Sequence, residues 1–256
     1  MLLDGKKVII MGIRNKWSIA WGAAMSAYEN GAQVIFTYNN MENKEKIEQL
    51  ISEIPGSKAY NCDASSDDSI DECLEKIKVD YGKVDGILHS IAHANTEDLR
   101  NDFILTSRDG FAHASDVSAY SLIAVARIAT KKEMLNENAS IVALTYYGSE
   151  KSVEGYNVMG VAKAALETSI KYLAKDLGKN AVRINAISAG PIKTLSAKGI
   201  KDFSSILDVV EEKAPLHKNV TTKEVGDTVS FLFSNMSSAI TGEVIHVDNG
   251  FSTVGV

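Results

Sequence analysis

The chain has 256 residues, 45% of them apolar and 23% charged, enough for one domain with a substantial core and a cleft. Its formal net charge of −6 argues against nucleic acid or an anionic membrane as the main partner. No apolar run reaches bilayer length, no signal-peptide layout precedes the first strand, and Cys62 and Cys73 have neither metal-ligand spacing nor a disulfide framework. A reducing cytoplasm is the expected setting.

Lys7 to Met11 is a continuous apolar run, as for a strand buried on both faces of a parallel sheet. It meets Gly12, a loop of bulky residues, Ser18-Ile19-Ala20 and Gly22, then an alanine-rich helix ending at Gly31. Strand, glycine turn and helix can hold a pyrophosphate through backbone N–H groups and the helix N-terminus. The G-x-G-x-x-G spacing is absent, so a plain connecting turn is the competing reading. Ser18 is placed to cap the helix. Gln33 to Tyr38 is a second strand, followed by Asn39. An acidic residue there favours NAD and an arginine favours NADP. Asn39 is neither, and no basic residue follows before Lys44, which leans toward NADH.

Glu42 to Glu53 reads as a helix stopped by Pro55-Gly56, and Lys58 to Cys62 as a third strand. Asp63 at its end either accepts from an adenine amino group or caps the segment that follows. A helix from Ser69 to Lys78 leads to a fourth strand from Val84, with the polar end Ser90-Ile91-Ala92. This alternation predicts an α/β fold, a single-domain doubly wound parallel sheet of about seven strands with helices on both faces. Ligands gather at the carboxyl ends of such strands.

His93 reads as a loop or rim residue with no proton-transfer role. Arg108 to Thr130 reads as one long helix with an apolar stripe, a candidate for subunit contacts. Ser140 to Thr145 is a fifth strand that delivers Tyr146 and Tyr147 to the ligand edge, Tyr147 as core or rim. Tyr156-Asn-Val-Met-Gly160-Val-Ala-Lys163 then opens a helical run ending near Gly178. On one helix Tyr156 and Lys163 would share a face, roughly 10 Å apart along the axis. A nearby ammonium favours the phenolate, so the hydroxyl can donate or relay a proton near neutral pH. Gly160 between them would let something flat approach the backbone. A surface helix with an ordinary tyrosine and lysine is the plain alternative. Val182 to Ser188 is a sixth strand, and Gly190-Pro191-Ile192-Lys193-Thr194 offers hydrogen bonds to a carboxamide or phosphate. Leu195 to Phe203 has the composition of a mobile lid, Thr221-x-x-Glu224 is a capping box, and Glu243 to Val247 is the last strand.

Four features carry a family resemblance: Gly12-x5-Ser18-Ile19-Ala20-x-Gly22; Tyr146 followed by Tyr156-x6-Lys163; the run from Asn185 to Ser196; and His246-Val-Asp-x-Gly-Phe251. With them the chain resembles the short-chain dehydrogenase/reductase superfamily and, within it, the divergent enoyl-acyl-carrier-protein reductases of bacterial fatty-acid synthesis. The six-residue gap before Lys163 is the specific part, since ordinary superfamily members have three residues there. Ala92 stands where these reductases often have glycine, and His93 where an apolar residue is usual.

The resemblance implies one reductase domain over residues 1–256 with a substrate lid at about 193–213. It implies NADH (NADPH less so) as cofactor and a trans-2-enoyl thioester on acyl-carrier protein or coenzyme A as substrate. Tyr146, Tyr156 and Lys163 would be catalytic. Gly12, Ser18, Ile19, Asn39, Asp63, Ala64, Ser90, Ile91, Ile192 and Thr194, with Lys163, would line the cofactor. Ala94, Leu99, Met159 and Phe203 would face the acyl chain, and Lys198 and Lys201 would meet the acidic carrier. A homotetramer is implied, with no metal. A ketoacyl reductase of the superfamily is the nearest rival, against which the Tyr156–Lys163 spacing weighs. A dinucleotide sensor without chemistry would be expected to lose the tyrosine or the lysine, and both are present.

Overall fold

The computed structural model describes residues 1–194 and 203–255. Strands β1 (Lys7–Met11), β2 (Gln33–Tyr38), β3 (Lys58–Asn61), β4 (Val84–His89), β5 (Leu135–Thr145), β6 (Arg183–Ala189) and β7 (Val244–Val247) form one parallel sheet, in the order β3-β2-β1-β4-β5-β6-β7. The apolar run of β1 shows why. Val8 and Ile10 pack on one face, Ile9 and Met11 on the other, and none of the four is exposed. A strand with both faces apolar is stable only between two helical layers. Strand order reverses between β1 and β4, and a crevice opens at such a point.

The α-helices of the described residues are α1 (Ile19–Glu29), α2 (Lys44–Ile51), α3 (Asp67–Tyr81), α4 (Thr96–Arg100), α5 (Arg108–Ser115), α6 (Ser121–Lys131), α7 (Val158–Leu177), α8 (Phe203–Lys213) and α9 (Thr222–Phe233). Ser18 caps α1 by accepting from the Trp21 N–H, and Thr221 with Glu224 forms the expected capping box of α9. Where α1 crosses α9, a Cβ on Gly22 would stand 2.4 Å from the Thr222 carbonyl oxygen, and one on Gly226 2.4 Å from that of Gly22. Gly22 therefore serves helix packing. Cys62 and Cys73 are both buried and free.

Four expectations need correction. The helix expected from Tyr156 begins at Val158, because Gly155 (φ 74°) and Asn157 (φ 41°) hold the preceding chain in left-handed conformations. The single helix expected over Arg108–Thr130 is broken by a π-helical turn at Asp116–Tyr120. β5 starts at Leu135 rather than Ser140, with an irregularity against β4 between Val84 and Gly86. Ser66, not Asp63, caps α3. The expected lid residues Leu195 to Asp202, including Lys198 and Lys201, lie outside the described residues.

Candidate active site

The carboxyl ends of the strands bring most of the expected residues to one edge. Gly12 follows β1 with φ +84°, and a Cβ there would sit 2.2 Å from the Ser90 carbonyl oxygen. Only glycine lets the β1 turn lie against the end of β4. Ser18 and Ile19 open α1 next to that turn, Asn39 is exposed after β2, and Ile192 and Thr194 follow β6. Asp63 and Ala64 follow β3. Asp63 accepts from both the Ser65 N–H and hydroxyl, which fixes its carboxylate at the rim.

Lys163 projects from α7 into the sheet and is only 5% exposed. Its Nζ donates to the Leu144 carbonyl oxygen at 2.7 Å. Burial lowers its pKa to about 8, while the charge of Glu167 acts in the opposite direction. Tyr146, just past β5, meets Tyr156 edge-to-face with ring centroids 4.8 Å apart. Desolvation pushes the Tyr146 hydroxyl up to about 12 and raises that of Tyr156 as well, with Tyr146 and Glu167 adding to the latter. The phenolate-favouring shift expected from Lys163 is thus reversed here: desolvation dominates, and Tyr156 is a firmly protonated donor. Gly160 does make room, but for the protein itself. A Cβ there would lie 2.5 Å from the Gly148 carbonyl oxygen, and one on Gly148 only 2.4 Å from the Tyr156 ring. Two glycines let the turn after β5 and the start of α7 close around Tyr156. Tyr147 is buried against Phe251, the core role expected.

Beside Tyr156 lies a separate apolar cluster of Leu99, Ala114, Val158 and Met159, with Ala94 packed on it. Three of the four expected acyl-facing residues therefore meet there. Phe203 stands outside that cluster, at the first residue of α8. A cavity of about 500 Å³ adjoins it, lined by His93, Ala94, Asp98, Leu105 and Ser107 among others. His93 Nδ1 lies 2.7 Å from His113 Nε2 on the cavity lip. Two residues unsuspected from the sequence shape this wall. The Asn157 side-chain amide donates to the carbonyl oxygens of Leu99 (3.1 Å) and Asn101 (2.7 Å), tying α4 to the start of α7. In the π-helical turn, Ser118 Oγ donates to the His93 carbonyl oxygen and accepts from the His93 N–H. An asparagine ahead of a helix was the only signal in the sequence, and it reads as an ordinary cap.

A parallel sheet in this order, a glycine turn at its switch point and a tyrosine–lysine pair beside it define a dinucleotide-dependent oxidoreductase of the short-chain dehydrogenase/reductase class. The residues fit the implied nicotinamide dinucleotide. Gly12 lets the β1 turn lie against the end of β4 at the switch point, and Lys163, with one of three N–H donors on Leu144, has others for a ribose diol. A family model described as enoyl-(acyl carrier protein) reductase matches residues 12–252. The enoyl-acyl-carrier-protein reductase (NADH) of Bacillus cereus is 50% identical over 256 residues, covering 99% of each chain. That of Staphylococcus aureus, named for NADPH, is 50% identical over 254 residues and covers 98% of each. The crystal structure of the B. cereus reductase with NADP+ and indole naphthyridinone superposes with a TM-score of 0.97 over 100% of this chain and 99% of that one, at 50% identity. The chain belongs to the enoyl-acyl-carrier-protein reductase family.

Proposed function

We propose that this chain reduces trans-2-enoyl thioesters of acyl-carrier protein to saturated thioesters in fatty-acid elongation, with NADH as the reductant. The observation that carries this reading is the Tyr156 ring, which packs on Tyr146 and on the apolar cluster of Leu99 and Met159, while the buried Lys163 is held by the Leu144 carbonyl two residues before Tyr146. Bound at the strand ends, NADH supplies a hydride to the β-carbon of the enoyl group. Negative charge then grows on the thioester oxygen, and Tyr156 donates a hydrogen bond to it. A donor of this kind is worth about 3 kcal/mol in the transition state. A raised pKa suits that task, because the phenol stays protonated until the charge appears. Lys163 holds the nicotinamide ribose and keeps the potential positive. Tyr146, packed on Tyr156, shapes the acyl pocket and assists delivery of the proton that the α-carbon takes up as the enolate becomes the saturated thioester. Ala94, Leu99 and Met159 line the acyl chain, with Phe203 at its entry.

The preference for NADH rests on Asn39, exposed at the end of β2, with no basic residue following it before Lys44. Gly12, Ser18, Ile19, Asp63, Ala64, Ser90, Ile91, Ile192 and Thr194 complete the cofactor lining. No helix among the described residues is long and apolar enough to cross a membrane. A cytoplasmic homotetramer is the assembly we propose. The hollow of about 370 Å³ between α6 and α7, lined by Ile123, Thr168, Tyr172 and Leu173, is a surface open to a second copy, with Tyr172 72% exposed. A monomeric mass in solution would contradict that assembly.

The test follows NADH absorbance with a crotonyl thioester, for wild type and Tyr156→Phe. Enoyl-dependent oxidation that drops about 100-fold in the variant supports the reaction and the donor together. Oxidation with an acetoacetyl thioester alone would move the chain to the ketoacyl reductases. Tight NADH binding without any turnover would point to a sensor.

A further inference from the structure

Two consecutive residues at the end of β5 are each tied to α7 by a different side chain. The Leu144 carbonyl oxygen accepts from Lys163 Nζ at 2.7 Å, and Thr145 Oγ1 donates to Glu167 Oε1 at 2.5 Å. Lys163 and Glu167 are four residues apart, so they stand one turn apart on the same helix face. Thr145 is only 4% exposed, and Glu167 is partly buried beside it. The next residue in the chain is Tyr146, whose ring sits on Tyr156. We infer that Glu167 is a positioning residue for the reaction: anchored by Thr145 one turn along α7 from Lys163, its carboxylate is the fixed counter-charge for that buried ammonium.

The inference rests on the role given to Lys163 above. An ammonium taken out of water sheds its proton unless a nearby negative charge opposes the loss. His89 from β4, whose own pKa burial and the charge of Lys163 bring down to about 3, is fully buried and neutral. His89 therefore contributes no counter-charge. Glu167 raises the Lys163 pKa against the desolvation that brings it down to about 8, so without that carboxylate the lysine would discharge at a lower pH. The threonine hydroxyl matters because it aims the carboxylate. A charge on a free glutamate arm would be spread over several rotamers and partly solvated.

Glu167→Gln separates the two duties, since an amide oxygen can still accept from Thr145 but carries no charge. The experiment measures NADH affinity by fluorescence and crotonyl-thioester turnover, each over about pH 6 to 9, the range in which a lysine displaced this far titrates. Expected for Glu167→Gln is an alkaline limb displaced downward by about one pH unit in both curves, hence about a fivefold loss near pH 8 and little loss near pH 6. Glu167→Asp, which keeps the charge, restores the limb. Thr145→Val, which frees the carboxylate, lowers kcat and moves the limb part of the way down. A wild-type limb in Glu167→Gln would overturn the proposal. Should that variant fail to fold by circular dichroism, an unchanged kcat in Thr145→Val would overturn it instead. The binding curve also separates this proposal from the reaction assigned above. NADH affinity that falls with the predicted limb, in an enzyme that leaves the enoyl thioester untouched, would defeat the reaction and support the role of Glu167.

Discussion

At the scale of single residues, several of the buried polar groups are fixed by their neighbours' hydrogen-bond inventories. Ser121 Oγ lies 2.7 Å from the Val117 carbonyl oxygen, where its one proton is used, so His89 Nε2, 2.8 Å away, must donate to that oxygen. His89 is then neutral with a bare Nδ1, which has no partner among the described residues. Its pKa falls to about 3 by burial and by the charge of Lys163. In the unfolded chain a histidine titrates near ~6.5, so unfolding takes up a proton between the two values. Stability from this site is complete above about pH 6.5 and is lost as pH falls toward 3, by on the order of 3–5 kcal/mol across the full window. His89→Leu should flatten the fall in urea midpoint over that range, and an identical fall in the variant would show that another group is responsible. Gly12→Ala belongs to the same scale. A methyl 2.2 Å from the Ser90 carbonyl oxygen, at φ +84°, forces backbone apart. A loss of about 1–3 kcal/mol in stability and a tenfold or greater weakening of NADH binding are expected, read by denaturation and fluorescence titration.

At the scale of elements, the acyl wall depends on how α4 is held to α7. Asn157 makes that link through the Leu99 and Asn101 carbonyl oxygens, and its φ of 41° suits asparagine better than most side chains. Asn157→Gly keeps the backbone conformation accessible and removes the amide. It should raise KM for the enoyl thioester severalfold with little change in NADH affinity, and an unchanged KM would exclude the link from substrate binding. The same junction shows what the sequence could and could not tell. Strand β1 was legible because a segment buried on both faces is a continuous apolar run. The motif from Tyr156 to Lys163 was legible as a family signature, yet its geometry was not. Gly155 and Asn157 place Tyr156 outside the helix, and that departure depends on packing with Gly148. The π-helical turn escaped periodicity for a similar reason. Its Ser118 bonds to the backbone of His93, which only the folded sheet brings within reach. Glu167 was equally silent, since its partner Thr145 is 22 residues away in the chain.

At the scale of the whole molecule, the residues assigned to the dinucleotide follow β1, β2, β3, β4 and β6, and these elements are far apart in sequence. A ligand that touches all of them binds the folded chain and has almost no affinity for the unfolded one, so its binding energy adds to global stability. At a concentration of about 100 times Kd the gain is about 2.7 kcal/mol. For a chain of this size that corresponds to an increase in Tm of roughly 5–10 °C. NADH should produce that increase. NADPH at the same concentration should produce less, because Asn39 offers no charge to the 2′-phosphate. Thermal unfolding followed by fluorescence with each nucleotide checks both statements. Asn39→Arg supplies the missing cation and should raise the NADPH shift toward that of NADH, since the rest of the crevice is common to both. Equal shifts in the wild type would remove the cofactor preference and leave the crevice. No shift with either would remove the crevice as a dinucleotide site, and with it the place from which a hydride could reach a substrate beside Tyr156.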